Sequence, residues 1–176
     1  MAEDQRFAAL RPDVVVFETD ELTEDVTLSG RINADLFVSI SSTDADFIVK
    51  LIDVLPDTAS TPKGSPRGFA MAGLQRMVRA EVMRGKFRND PSKPEAFVPN
   101  KITEVKFDLN DVAHTFKKGH KIMVQVQSSW FPLVDRNPQK FMRIPDATEK
   151  DFQKATIRIY HDAVNASKIV LPVLKN

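Results

Sequence analysis

Three histidines, His114, His120 and His161, are the side chains of this sequence best suited to proton transfer near neutral pH. A serine nucleophile needs an imidazole within bonding reach, and that imidazole needs a carboxylate to fix its tautomer. Ser128 or Ser129 with His114 and Asp111 supplies these residue types, but all are common and no local motif joins them. There is no Gly-x-Ser-x-Gly elbow. Gly64-Ser65-Pro66-Arg67-Gly68 puts its serine second, beside a proline, inside a loop. Walker A and dinucleotide fingerprints are also missing. The chain has no cysteine, which removes thiolate nucleophiles, thiolate zinc sites and disulfides. His114 and His120 are expected to be hairpin residues bonded to backbone. No catalytic, cofactor-binding or metal-binding residue is assigned, and no cofactor is expected.

Other charged groups invite specific readings. Asp44-Ala45-Asp46 opens like a calcium loop but lacks the sixth-position glycine and the twelfth-position glutamate. Its acids are read as turn residues that accept backbone N–H groups. Arg76, Arg79, Arg84, Lys86 and Arg88 form a basic run, with Glu81 interrupting and only Phe87 available for base stacking. A solvated strand face or a salt-bridging interdomain surface fits it better than nucleic acid does.

The most unusual segment is Ser128-Ser129-Trp130-Phe131-Pro132-Leu133-Val134-Asp135-Arg136-Asn137-Pro138. A strand ends in two adjacent aromatics, then a proline, then an acid, a base and an amide. Paired aromatics favour interfaces or pockets, and Arg136 could clamp a carboxylate bidentately. The competing reading is a core-plugging loop, with Trp130 and Phe131 capping the domain and Arg136 bridging two loops. Trp130, Phe131, Asp135, Arg136 and Asn137 are the candidate contact residues.

The elements that must position these groups are strands. Ile32, Ala34, Leu36, Val38 and Ile40 share one parity within Arg31–Ile40. Val105, Phe107 and Leu109 do so in Thr103–Asn110, Ile122, Val124 and Val126 in Lys121–Trp130, and Ile157 and Ile159 in Ala155–His161. Side chains on a strand alternate faces, so each segment buries one face and wets the other. Asp13–Phe17, Val26–Ser29, Phe47–Leu55 and Lys168–Leu174 read as further strands. Phe47–Leu55 is apolar on both faces and is placed centrally. Pro172 marks the last strand as an edge or as ending early. Arg76–Arg88 is read as a strand with a bulge near Gly85, against a competing helical stripe. Pro56–Gly68 and Asn89–Asn100 are loops, Lys117-Lys118-Gly119 is a turn, and Thr148–Phe152 is one helical turn capped by Thr148. Eight or nine short strands with proline-bearing crossings predict an all-β sandwich with at most a few helical turns.

Hydrophobic residues make up 42% of the 176, enough to fill the core of one domain. Charge is balanced, 25 Lys+Arg against 24 Asp+Glu, which gives no drive toward nucleic acid or an anionic membrane. No apolar run approaches 18 residues, and Met1–Arg6 lacks a signal-peptide pattern.

Several blocks resemble one known family. Ser128-Ser129-x-Phe131-Pro132 through Asp135-Arg136-Asn137 is similar to a motif of C-terminal domains in X-Pro dipeptidyl-peptidase and cocaine-esterase-like serine hydrolases. Lys118-Gly119-His120-Lys121-Ile122 resembles the turn that enters the same strand. Arg11–Val14, Leu22–Val26, Asp44–Phe47, Lys50–Val54, Asp151–Ala155 and Leu171–Leu174 follow in the family's order. Val82–Asn89 is especially like the acylase and α-amino acid ester hydrolase branch. The resemblance implies a jelly-roll fold similar to galactose-binding domains. It implies that the catalytic serine, aspartate and histidine sit in an upstream α/β-hydrolase domain, the partner of this one, so that this chain alone is not an enzyme. Residues 1–12 would then be an arm from that domain, residues 13–174 the jelly roll, and the Trp130–Asn137 loop a wall of the cleft. A periplasmic or secreted parent is compatible with this, as is self-association of an exposed domain interface. The alternative function is an independent carbohydrate-binding jelly roll, for which one Trp and one Tyr are a thin supply of sugar platforms.

Overall fold

The alternating segments pair into two antiparallel sheets in the computed structural model, which describes residues 4–175. The first sheet runs in the order β1 (Val14–Glu18), β6 (Lys121–Gln127), β3 (Asp46–Val54), β4 (Gln75–Arg84). In the second, β2 (Val26–Ile40) lies between β5 (Thr103–Phe116) and two short strands. These are β7 (Ile157–Ile159), which pairs Val38–Ile40, and β8 (Lys168–Val170), which pairs Asn33–Asp35. Only the β3–β4 and β7–β8 connections stay within one sheet, the crossing pattern of a jelly roll. The fold is the expected all-β sandwich, with one short α-helix, α1 (Arg6–Ala9), and three single-turn 3₁₀ segments among the described residues.

The parity read from the sequence decides what faces inward. Ile32, Ala34, Leu36, Val38 and Ile40 of β2 are buried with Val105, Leu109 and Phe116 of β5. Opposite them lie Phe47, Val49 and Leu51 of β3 and Val126 of β6. Each such side chain contributes roughly 1.5–3 kcal/mol when fully buried.

Element ends differ from expectation where backbone conformation intervenes. Val26–Ser29 and Arg31–Ile40 are one strand, because Gly30 at φ +127 lets the chain continue into a register shift at Arg31/Asn33. β5 runs past its expected end through Asn110, at φ +66, to Phe116. β6 stops at Gln127 rather than Trp130, and β7 is shorter than Ala155–His161. β4 ends at Arg84, and Gly85–Phe87 forms a 3₁₀ turn where a bulge was expected. β8 ends before Pro172, as that residue predicted. At Thr148 the expected capped turn forms, with a reciprocal capping box between Thr148 and Asp151.

β3 is interior and buried on both faces, as its two-sided apolar run predicted. Its outward face needs a second cover, supplied by α1, where Ala8 is fully buried, and by Trp130. The Gln5 N–H donates to the Gln75 carbonyl at 2.8 Å and ties this cover to β4.

Candidate functional site

The loop from Trp130 to Asn137 leaves the end of β6 and is held at its base by the start of β3. Asn137 is buried and donates from Nδ2 to Asp46 Oδ1 at 2.8 Å. Arg84, at the end of β4, lies between Asp46 (3.5 Å) and Asp135 (2.5 Å). Burial pushes the Asp46 carboxyl up to about 6, while the Asn137 bond and Arg84 oppose the shift. Arg84 holds the exposed Asp135 below the usual carboxylate range. The neighbouring Asp44 is fully buried, and burial raises its pKa too. Its Oδ1 accepts the Ala45 and Lys86 N–H groups, the turn role expected of it. Asp46 has a different role, because its carboxylate positions the loop. The described residues contain no cluster of three or more His, Cys, Asp or Glu able to hold a metal ion.

At the other end of the loop, Trp130 covers Lys50. The Lys50 ammonium lies 4.9 Å from the Trp130 ring centroid and 5.9 Å from that of Phe7. It donates to Gln5 Oε1 at 2.9 Å. Lys50 is fully buried, and desolvation, with a smaller contribution from Arg11, lowers its pKa to about 8. Cation–π contact and the amide oxygen compensate part of the lost hydration. Phe131 and Leu133 point away and are each 63% exposed. Arg136 lies 4.8 Å over the Phe152 ring and so bridges two loops, as the core-plugging reading proposed. The candidate residues thus divide. Asp135 and Asn137 anchor the loop, Trp130 covers Lys50, Arg136 stacks on Phe152, and Phe131 faces outward.

The histidines correct the sequence reading. His114 Nε2 lies 3.0 Å from Asp53 Oδ2, and His120 Nδ1 lies 2.7 Å from Asp53 Oδ1. Both bind one buried carboxylate instead of backbone, and His114 thereby joins β5 of the second sheet to β3 of the first. The Ser128/Ser129–His114–Asp111 combination is not assembled. Asp53 is opposite Ile122, and the stretch from Ile122 to Ser128 spans about 20 Å at ~3.4 Å per residue. Most of the basic run also turns inward. Arg79 binds the Leu109 carbonyl, Lys86 the Met142 carbonyl, and Arg88 the carbonyls of Gly85, Glu95 and Ala96.

Lys50 and Arg84 were not singled out as site residues from the sequence. Lys50 carried a signal, a lone cation in the middle of the apolar run Phe47–Leu55. Arg84 was read only as part of the basic run, and its partners, 38 and 51 positions away, could not be named from spacing.

Two antiparallel sheets facing each other, with an aromatic loop tethered at one end, define a jelly-roll β-sandwich domain. The chain belongs to the X-Pro dipeptidyl-peptidase C-terminal non-catalytic domain family, whose match spans residues 2–170. Over 172 residues it is 36% identical to a cocaine esterase of Rhodococcus sp. (strain MB1 Bresler), covering 98% of this chain and 27% of that protein. An aminopeptidase from a marine sediment Thaumarchaeota archaeon superposes with a TM-score of 0.90 at 42% identity, covering 99% of this chain and 28% of that one. An α-amino acid ester hydrolase superposes with a TM-score of 0.91 at 43% identity, covering 98% of this chain and 27% of that one. The chain therefore spans little more than a quarter of the length of these relatives.

Proposed function

We propose that this non-catalytic domain packs on an α/β-hydrolase domain of the same longer chain and forms one wall of its active-site cleft. That longer chain would cleave ester or amide bonds, as the names of the relatives suggest for them. Residues 1–12 would be the arm that leads in from the hydrolase domain. The observation that carries the reading is the construction of the Trp130–Asn137 loop. Its base is fixed by Asn137–Asp46 and Asp135–Arg84, while Phe131 and Leu133 are held out into solvent. Large apolar side chains on a rigid loop are the usual make-up of an interface core. The carbohydrate alternative has less support, because one face of the only tryptophan lies over Lys50.

The test uses the longer hydrolase chain with Phe131→Asp and Leu133→Asp together. The expected result is a lower kcat/KM and separate unfolding of the two domains by calorimetry. Unchanged kcat/KM with one cooperative transition would overturn the reading.

A further inference from the structure

The two sheets do not close along one edge. Val15 and Phe17 of β1 pair with Val126 and Val124 of β6 and share their inward face. In a closed sandwich they would be buried, yet they are 43% and 42% exposed. The cause is opposite them, where the second sheet ends in β7 and β8, strands of three residues each. The result is a groove between the sheets. One stretch, of about 360 Å³, is walled by Phe17, Leu36, Val124, Ile159, Ile169 and Leu171 among others. The next, of about 340 Å³, shares Val126 and Ile159 with it and continues along Val15 and Ile157. It shares Ser128, Ala155 and Ile157 with a third, of about 400 Å³, at the Arg136 end. Each stretch falls in the range of small-molecule sites, about 300–1,000 Å³.

Chemistry changes along the groove. Its first stretch is mainly apolar and the next mixes Val15, Val126, Ile157 and Ile159 with Thr156 and Ser128, and the acids along both are already neutralised, Asp13 by Arg11 and Glu18 by Lys121. Lys168, at the far end, pairs with Asp35. The third stretch is polar, and it holds Arg136, Lys154, Ser128 and Ser129. Among the described residues neither Arg136 nor Lys154 has a carboxylate partner, and Arg136 meets only the Phe152 ring. Arg136 therefore keeps its planar fork of N–H donors available, a geometry that matches a carboxylate.

We propose that this seam binds a single-chain aliphatic carboxylate. The alkyl chain lies between β1 and β7 against Val15, Phe17, Val126 and Ile159. The carboxylate lies at Arg136 and Lys154, with the serine hydroxyls as further donors. Burying the chain removes both alkyl and wall surface from water, and the two cations set its direction. The inference goes beyond the docking role of the Trp130–Asn137 loop and does not require it, since Phe131 and Leu133 lie outside the groove.

The test is titration calorimetry of the 176-residue chain with sodium dodecanoate below its micelle concentration, with dodecanol and hexanoate as comparison ligands. Saturable dodecanoate binding is expected, with dodecanol and hexanoate both weaker. Arg136→Ala with Lys154→Ala should weaken dodecanoate by about tenfold, the loss of a charge-assisted hydrogen-bonded pair. Val15→Trp fills the groove from an exposed position on an edge strand and should abolish binding while circular dichroism stays unchanged. Absence of saturable binding to the folded chain overturns the proposal. So does equal affinity for dodecanol, or dodecanoate affinity that neither variant changes.

Discussion

Asn137 and Asp46 are 91 positions apart in sequence, yet the Asn137 amide donates to the Asp46 carboxylate at 2.8 Å in a buried setting. The bond fixes the aromatic loop to the start of β3. Among the described residues, replacing Asn137 by Ala leaves the Asp46 carboxylate with Arg84 alone, at 3.5 Å, and should cost about 1–3 kcal/mol in urea unfolding.

Asp46 also gives a pH signature. Its folded pKa of about 6 lies above the ordinary 3.8, so the folded state holds this proton more tightly than the unfolded state. The resulting stability is present below pH 3.8 and is lost as pH rises through 6. The loss is on the order of 3 kcal/mol, at about 1.4 kcal/mol per unit. Asp46→Asn removes the titration but keeps an acceptor oxygen for Asn137. The variant should therefore gain on wild type between pH 4 and pH 7, measured as the difference in unfolding free energy. A pH-independent difference would exclude the assignment.

Lys50 carries the opposite kind of shift. Its folded pKa of about 8 lies below the ordinary 10.5, so the folded state releases the proton first. Wild-type stability should rise as pH climbs from 8 to 10.5. Lys50→Met keeps the length of the side chain and removes the buried charge. An apolar replacement of similar volume commonly stabilises such sites. Lys50→Met should be about 1–3 kcal/mol more stable than wild type at pH 7, with the gap closing toward pH 10.5. A variant less stable at pH 7, with a constant gap, would show that the Trp130 and Phe7 rings outweigh desolvation.

Asp53 binds two imidazoles and, through His114 of β5, joins the two sheets. Asp53→Ala removes the acceptor of both His114 and His120, each about four-fifths buried, and should cost about 2 kcal/mol or more. A double-mutant cycle with His120→Ala should return a coupling of about 0.5–3 kcal/mol. Additive single losses would mean that Asp53 acts only through packing.

These cases show which parts of the molecule were legible in the sequence. The period-two pattern of Ile32–Ile40 was sufficient for β2, because strand geometry couples parity to face. The order of the motif blocks was sufficient for the family. The 3₁₀ turn at Gly85 was not legible, because Met83, Gly85 and Phe87 alternate with Arg84, Lys86 and Arg88, so the run reads as a bulged strand past the point where pairing stops. Nor were the partners of His114, His120 and Asp46, because a side chain's donor pattern does not say which distant acceptor the fold will bring to it. The expected hairpin does not form, because β5 and β6 lie in different sheets. Instead His114, near the end of β5, and His120, just before β6, both reach Asp53 near the end of β3.

Gly85 shows what that turn requires. Its φ is ordinary, so the need for glycine is steric rather than conformational. A Cβ there would lie 2.5 Å from the Ala45 carbonyl oxygen and 2.7 Å from Phe97 Cε2. The Gly85 N–H also donates to that same carbonyl at 2.9 Å, which holds the two backbones together. Gly85→Ala must therefore break this bond or displace the start of β3, at a cost of about 1–3 kcal/mol. Shrinking the ring with Phe97→Leu relieves only one of the two clashes. The double variant should stay as unstable as Gly85→Ala, or become less stable, because Phe97 is itself a buried core residue. Recovery of wild-type stability in the double variant would mean that the ring, and not the Ala45 backbone, excludes a side chain at this position.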